Sequence, residues 1–398
     1  MKTLVAVLAS AATLLAGAPA AAAAEPPPVL PSRAATAGAD IRLTLPPPTG
    51  PERIGTASVY LVDRSRPDPW VPAERARELM VQVWYPAGEV RGHPRAGWVS
   101  PGVAARINPP GSGFVLPVTH AYTGAPAARG RRPVVVYSPG FGLERTGSTA
   151  LVEDLASHGY VVVTIDHTHD AQFVEFPDGR IATHAVPPPA SPDDEAASLA
   201  KVLAVRVADT RFVLDQLTAI GRGRNPDASG RPLPRGLGQA LDLSRVGMFG
   251  SSMGGAGAAE TMLMDRRVRA GLNLDGTFFG RAPDAGLDRP FLMMGAEHEG
   301  PDADETWDRM WSRLRGPRYW IELDNAGHLS FTDFQVLLPQ TGTPAEQSEP
   351  LIGSIDGRRS VAVQRPYVRA FFDKHLRHRG GRLLAGPSAR YPEMRFRP

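Results

Sequence analysis

A chain of 398 residues with 41 Gly, 40 Pro and no Cys cannot rest on disulfides, thiolate zinc sites or a cysteine nucleophile. Its hydrophobic share of 42% and charged share of 21% exclude wholesale disorder. The formal net charge of +3 is too small for a protein that binds a phosphate backbone. Lys2, Lys201 and Lys374 are the only lysines, so 41 of the 44 basic residues are Arg. The basic runs are short and scattered, no nucleic-acid partner is expected, and the Arg bias reads as coding composition.

Residues 1–24 carry one charge, at Lys2, then an apolar run from Leu4 to about Gly17 and the small-residue patterns Ala18-Pro19-Ala20 and Ala22-Ala23-Ala24. This is the pattern of a secretory signal peptide cleaved near residues 20–24. The mature chain is then expected outside the cell. No later segment offers the ~20 apolar residues of a spanning helix, so no stable membrane insertion is expected. Residues 25–53, rich in Pro and Ala, read as an extended linker. Thr56–Val62 and Leu79–Tyr85 read as an antiparallel strand pair. Residues 86–131 carry many Gly and Pro and read as an irregular excursion.

From Pro133 buried-type strands alternate with helices. Strands are expected at Val134–Tyr137, Tyr160–Ile165, Arg245–Phe249, Ala270–Leu274, Pro290–Met294 and Tyr319–Leu323. Helices are expected over Ser148–Ser157, about Asp194–Ile220, to about Met264, and around Glu305–Leu314. A final helix ends near Arg377 and is either started or kinked by Pro366. This alternation predicts one α/β domain over 54–380, a mostly parallel sheet covered on both faces. Residues 381–398 are left as a C-terminal tail.

Gly250-Ser251-Ser252-Met253-Gly254 fits G-x-S-x-G. It follows an apolar strand and opens a small-residue helix, the context in which such a turn projects a nucleophilic serine. A serine hydroxyl needs a base. His328, in Asn325-Ala326-Gly327-His328, follows the last parallel strand and is the candidate, whereas His375 and His378 lie on or after the final helix in basic company. The acid that orients the base is expected between the two in the chain. Order alone leaves Asp275, after Leu274, and Glu299, after the next strand, both open. Acyl transfer also needs two backbone N–H donors for the oxyanion. Those of Phe141, in Ser138-Pro139-Gly140-Phe141-Gly142, and Met253 are expected to supply them.

Taken together, Val134–Gly142, Leu155–Gly159, Gly250–Gly254, Leu274-Asp275-Gly276, and His328 followed by Phe331 and Asp333 resemble the platelet-activating factor acetylhydrolase family of the α/β-hydrolase superfamily, its secreted plasma type and bacterial relatives. The resemblance covers about residues 55–380. It implies Asp275 as the acid, and a calcium-independent serine esterase, without cofactor or metal, that cleaves short or oxidised acyl chains from small-molecule or lipid esters. One departure stands out: the family's His-Gly in the oxyanion loop is Pro139-Gly140 here. Polyester hydrolysis or acyl transfer on the same triad, amide hydrolysis, and a non-catalytic binding protein of the same fold are the alternatives.

Phe278, Phe279, Leu329 and Phe331 flank the acid and base and are candidates for the substrate pocket. Asp166-His167-Thr168-His169-Asp170 has the residue types of a metal site, although a structural role is the simpler reading. Residues 340–358 look irregular and could form a rim or lid beside the base.

Overall fold

The computed structural model describes residues 40–297 and 304–397. The signal-peptide reading and most of the proposed linker therefore lie outside the described residues. Eleven strands form one sheet. In chain order they are β1 (Ile54–Asp63), β2 (Arg77–Pro86), β3 (Arg95–Gly97), β4 (Val118–Thr123), β5 (Arg132–Ser138), β6 (Val161–Asp166), β7 (Leu241–Ser251), β8 (Val268–Leu274), β9 (Phe291–Gly295), β10 (Arg318–Leu323) and β11 (Met394–Phe396). Their spatial order is β11-β10-β9-β8-β7-β5-β6-β2-β1-β4-β3. The block from β6 to β10 is parallel throughout. The pair β1–β2 is antiparallel and attaches to β6 through β2.

The apolar strands are buried on both sides because side chains alternate between two cores. Val134 and Val136 of β5 belong to one core, Val135 and Tyr137 to the other. Phe291 and Met293 of β9 divide from Leu292 and Met294 in the same way. The first core is closed by helices α2 (Glu195–Gly221), α3 (Met253–Met264) and α4 (Glu305–Arg313), which contribute Val213, Met262 and Trp307. The second is closed by α1 (Thr149–Ser157) and α7 (Gly357–Arg377), through Leu155, Phe371 and Phe372.

Several segments are more ordered than their composition suggests. Strands β3 and β4 lie inside 86–131 and extend the sheet edge. They are too short, or too mixed in composition, to show a period. The end of the linker is built in as well, since Leu43 and Leu45 are buried and Ile41–Arg42 pairs with Phe114–Val115. The stretch read as a rim follows α5 (Phe334–Gln340) and holds α6 (Ala345–Ile352), which Pro344 and Pro350 disguise as broken sequence. Pro366 lies inside α7 rather than at its start. Among the described residues no helix is long and apolar enough to cross a membrane.

The chain passes from β5 outward to β6 and then returns to β7 on the other side of β5. The loop after β5 and the helix after β7 therefore diverge at one edge, and such a crevice at the carboxyl ends of parallel strands is where α/β sheets bind ligands.

The C-terminal stretch closes the opposite margin. β11 pairs antiparallel with β10, Met394 is buried, and Arg397 Nε donates to Glu322 Oε1 at 2.9 Å. Removing residues 381–398 would bare the β10 edge and leave the buried Glu322 carboxylate without this partner. A chain truncated after Gly380 is expected to lose about 3–5 kcal/mol of stability, read as a lower urea midpoint. An unchanged midpoint would mean that the segment is only a tail.

Candidate active site

At the end of β7 three backbones crowd together. A Cβ on Gly250 would lie 2.2 Å from the Gly254 carbonyl carbon, and one on Gly254 only 2.0 Å from Ser138 O. Glycine is therefore required on both sides of Ser252, which carries φ 54° and ψ −125°, a conformation an L residue holds only when its surroundings impose it. The restraints are visible. Ser252 N–H donates to Leu274 O at 2.8 Å, and Ser252 O accepts from Gly255 N–H at 2.8 Å. The serine thus sits at the mouth of α3, whose N-terminal N–H groups and dipole favour negative charge.

Asp275 follows β8, the neighbour of β7, in a turn held by its own sequence. Asn273 Nδ2 donates to Gly276 O at 2.7 Å, and Asn273 Oδ1 accepts from Gly276 N–H at 3.0 Å. Asp275, at φ 54°, is further fixed by its N–H on Met294 O at 2.8 Å. Its Oδ1 accepts from Ala296 N–H at 2.7 Å, and its Oδ2 accepts from His328 Nδ1 at 2.7 Å. Both carboxylate oxygens are held, so the imidazole is oriented with Nε2 left for the cleft. Glu299, the other candidate acid, lies outside the described residues.

His328 sits in the turn after β10, and α6 braces that turn. Ser330 Oγ donates to Ile352 O at 2.7 Å, Ile355 N–H donates to Asn325 O at 3.0 Å, and Ala326 bridges Gly353. Residues 340–358 thus support the histidine from behind. Burial alone would lower the His328 pKa, but the hydrogen bond and charge of Asp275 outweigh it, and the imidazole is held above its ordinary 6.5.

Ser252 and His328 line one cleft with Gly140, Phe141, Leu143, Leu329 and Thr332. Its free volume is about 10 Å³, room for roughly one water molecule. The two sequence-expected donors sit beside the serine. Phe141 belongs to the loop after β5, and Met253 begins α3, where backbone N–H groups have no intrahelical acceptor. Of the four pocket candidates, Leu329 lines this cleft. Phe278 is buried against Phe291 and Trp307, and Phe331 is buried in the second core. Phe279 is half-buried against the cluster that includes Trp70, Phe141 and Met253.

Sequence reasoning missed what holds the loop after β5. Arg206 of α2 is 1% exposed. Its Nη2 donates to Gly140 O at 3.1 Å, its Nη1 donates to Pro139 O, and its Nε and Nη2 form a fork on Asp170 at 2.7 and 2.6 Å. Asp170 Oδ1 also accepts from Gly142 N–H at 3.2 Å. His167 extends the network. Burial, and then Arg206, lower its pKa. The neutral ring therefore donates from Nδ1 to Asp209 Oδ2 at 2.9 Å and accepts at Nε2 from Ser138 Oγ at 2.9 Å. Asp209 is held well below the usual carboxylate range, because Arg77 and His167 outweigh its burial. Arg206 and Asp209 stand at core spacing on a helix whose neighbours Leu203, Thr210 and Val213 are buried. Charged residues at such positions were the available signal.

In the Asp166–Asp170 run, Asp166 is paired to Arg145, His167 to Asp209 and Asp170 to Arg206. Asp68, Glu74 and His169 bring one ligand atom each within 4.8 Å of one another. Yet Asp68 already accepts from the N–H groups of Trp70 and Val71 and from Arg77 Nη1 at 2.6 Å. The cation at that position is a guanidinium.

The chain matches the family model described as platelet-activating factor acetylhydrolase, isoform II, over residues 76–380. A probable 1-alkyl-2-acetylglycerophosphocholine esterase of Arthroderma benhamiae is 30% identical over 282 residues, 66% of each chain. The platelet-activating factor acetylhydrolase of Cavia porcellus is 25% identical over 254 residues, 61% of this chain and 57% of that one. The chain thus spans 57–66% of the length of these curated relatives. A solved ferulic acid esterase from Streptomyces cinnamoneus aligns with a TM-score of 0.76 at 40% identity, covering 89% of this chain and 99% of that chain. The architecture is the α/β-hydrolase fold, and the chain belongs to the platelet-activating factor acetylhydrolase family.

Proposed function

We propose that the chain is an exported serine hydrolase of short-chain carboxylic esters, including lipid esters of the platelet-activating factor type. In this reading Ser252 Oγ attacks the ester carbonyl while His328 Nε2 takes its proton. Asp275 keeps the imidazole in the tautomer that bears its proton on Nδ1 and stabilises the imidazolium. The oxyanion lies against the N–H groups of Phe141 and Met253. The tetrahedral intermediate collapses by breaking the ester C–O bond, and the alkoxide leaves with the proton from His328. Water, deprotonated by His328, then releases the acid from the acyl-enzyme. The observation that carries this reading is the 2.7 Å bond from His328 to Asp275 in a cleft shared with a serine of imposed positive φ.

A second reading, hydrolysis of hydroxycinnamoyl esters, is favoured by the 40% identity to the ferulic acid esterase. Comparing p-nitrophenyl acetate, butyrate and palmitate with ethyl ferulate separates the two. The first reading expects kcat/KM to fall steadily with chain length and ethyl ferulate to be a poor substrate.

Ser252→Ala is expected to keep the fold and lose p-nitrophenyl acetate hydrolysis by at least about 10³-fold; retained turnover would overturn the assignment. The pH dependence has a definite sign. His328 must be neutral to act as base and its pKa is raised, so kcat/KM should fall with acid through an apparent pKa above 6.5. Asp275→Asn removes the raising interactions and leaves burial, so the residual activity should titrate at lower pH than the wild type. An unmoved acid limb would remove Asp275 from this role. Arg206→Lys keeps a cation near Asp170 but loses the fork across Pro139 and Gly140. Positioning of the oxyanion loop by Arg206 expects a drop in kcat of about 10-fold or more with little change in KM. A purely structural role would lower the melting temperature alone.

A further inference from the structure

A second cavity, of about 470 Å³ free volume, opens at the other end of the strands that carry the catalytic loops. Arg132 starts β5 and Arg245 lies in the first half of β7, so the cavity is about 20 Å along the strands from the cleft. Six guanidinium groups line it: Arg131, Arg132, Arg245, Arg369, Arg377 and Arg379. They come from two strands, the residue before β5, α7 and the turn after it.

Their counter-charges do not match them. Arg132 lies 3.5 Å from Glu52 and Arg377 lies 3.1 Å from Asp373, while Arg245 and Arg131 share Asp242 at 2.6 and 3.8 Å. Arg369 and Arg379 have no carboxylate within 4.0 Å among the described residues. Six cations thus face three carboxylates, and the excess equals the formal charge of the whole chain, +3. Arg131 and Arg379 are exposed, but the other groups are not simply splayed into solvent. Arg377 stacks on Tyr160 at 3.7 Å and donates to His158 O at 2.8 Å. A Cβ on Gly159 would be 3.1 Å from both Arg132 Nη1 and Arg377 Nη2, so two guanidinium groups converge on one point. Arg132 Nε is buried with no hydrogen-bond partner among the described residues. Arg369 Nη1 lies against His158 Nε2, and burial together with Arg369 lowers the pKa of that imidazole. Like charges held this close, with a buried donor unspent, are stabilised by an anion that takes several guanidinium forks at once.

We propose that this cavity binds a phosphorylated small molecule bearing at least two negative charges. Forks arriving from several directions suit the tetrahedral oxygens of a phosphoryl group better than a planar carboxylate, and a concave site suits a discrete ligand better than a flat membrane. The site is independent of the esterase reading, since none of its residues lies in the catalytic cleft.

The test titrates inorganic pyrophosphate into the full chain by calorimetry at fixed ionic strength, with citrate and phosphatidylglycerol vesicles as separate arms. Saturable 1:1 binding of pyrophosphate is expected, with a raised melting temperature. The double variant Arg369→Ala/Arg379→Ala removes two groups that hold no ion pair among the described residues; it should fold, keep p-nitrophenyl acetate hydrolysis, and bind at least 10-fold more weakly. If that variant fails to fold, Arg131→Ala replaces it with the same expectation. No saturable binding, or variants that bind as the wild type does, would overturn the site. Tighter binding of citrate would overturn the phosphoryl assignment, and binding to vesicles alone would overturn the cavity.

Discussion

Where β5, β7 and α3 meet, there is no space for a side chain. The carbonyl of Ser138 lies where a Cβ of Gly254 would be, and Gly254 lies where a Cβ of Gly250 would be. This close approach forces the chain to reverse within one residue, and the residue that makes the turn, Ser252, takes a left-handed φ. The strain is of order 1–3 kcal/mol, and the ladder from Ser252 N–H to Leu274 O together with the burial around it holds the turn in place. Everything else at this edge is arranged around that fixed hydroxyl: the loop after β5 on one side, Asp275 after β8 on the other, and His328 beyond it.

The same edge is held by charges that a core would normally exclude. Arg206, Asp170, His167, Asp209, Arg77 and Asp68 form a run of buried groups linked by hydrogen bonds. Burying one ion costs several kcal/mol, and pairing it offsets the cost only when its remaining donors and acceptors are engaged. Here they are engaged, in part by backbone carbonyls of the loop after β5. The network therefore gives that loop one conformation rather than adding much stability. In the proposed reaction a preorganised dipole is what oxyanion stabilisation requires, and on that reading strain at Ser252 and rigidity at Gly140 are two parts of one arrangement.

Much of this was legible in the sequence, for physical reasons that differ by element. The parallel strands were readable because both their faces are buried, leaving continuous runs such as Val134-Val135-Val136-Tyr137. Strand ends pointed to Ser252 and His328 but left Asp275 and Glu299 both open, and the choice of Asp275 came from the family resemblance. The supporting residues were harder to see. Asn273, which fixes the Asp275 turn, looks like an ordinary polar residue in a strand. Arg206 acts on a loop 66 residues away in sequence. Ser330 and Ile352, which brace His328, meet through a helix that its prolines conceal. Phe278 and Phe331 each stand three residues after Asp275 and His328, yet both are buried in the cores, a placement that closeness in sequence does not show.

The preference for Arg over Lys, which composition presents as a coding habit, has a structural consequence. Arg365 is buried on α7 and donates to Pro46 O, Pro47 O and Ala150 O at 2.9, 2.7 and 2.9 Å. It thereby ties the N-terminal segment to α1 and α7. Arg289 similarly reaches the carbonyls of Val268, Met262 and Asp265. A planar fork with five donors can satisfy several carbonyls at once, whereas an ammonium acts as a compact point charge. In a chain without cysteine, such forks cross-link segments distant in sequence by hydrogen bonds where a disulfide would otherwise serve. Each link is weaker than a covalent staple. Each also joins backbone carbonyls of separate segments, so the links contribute order at the margins while the two cores supply most of the stability.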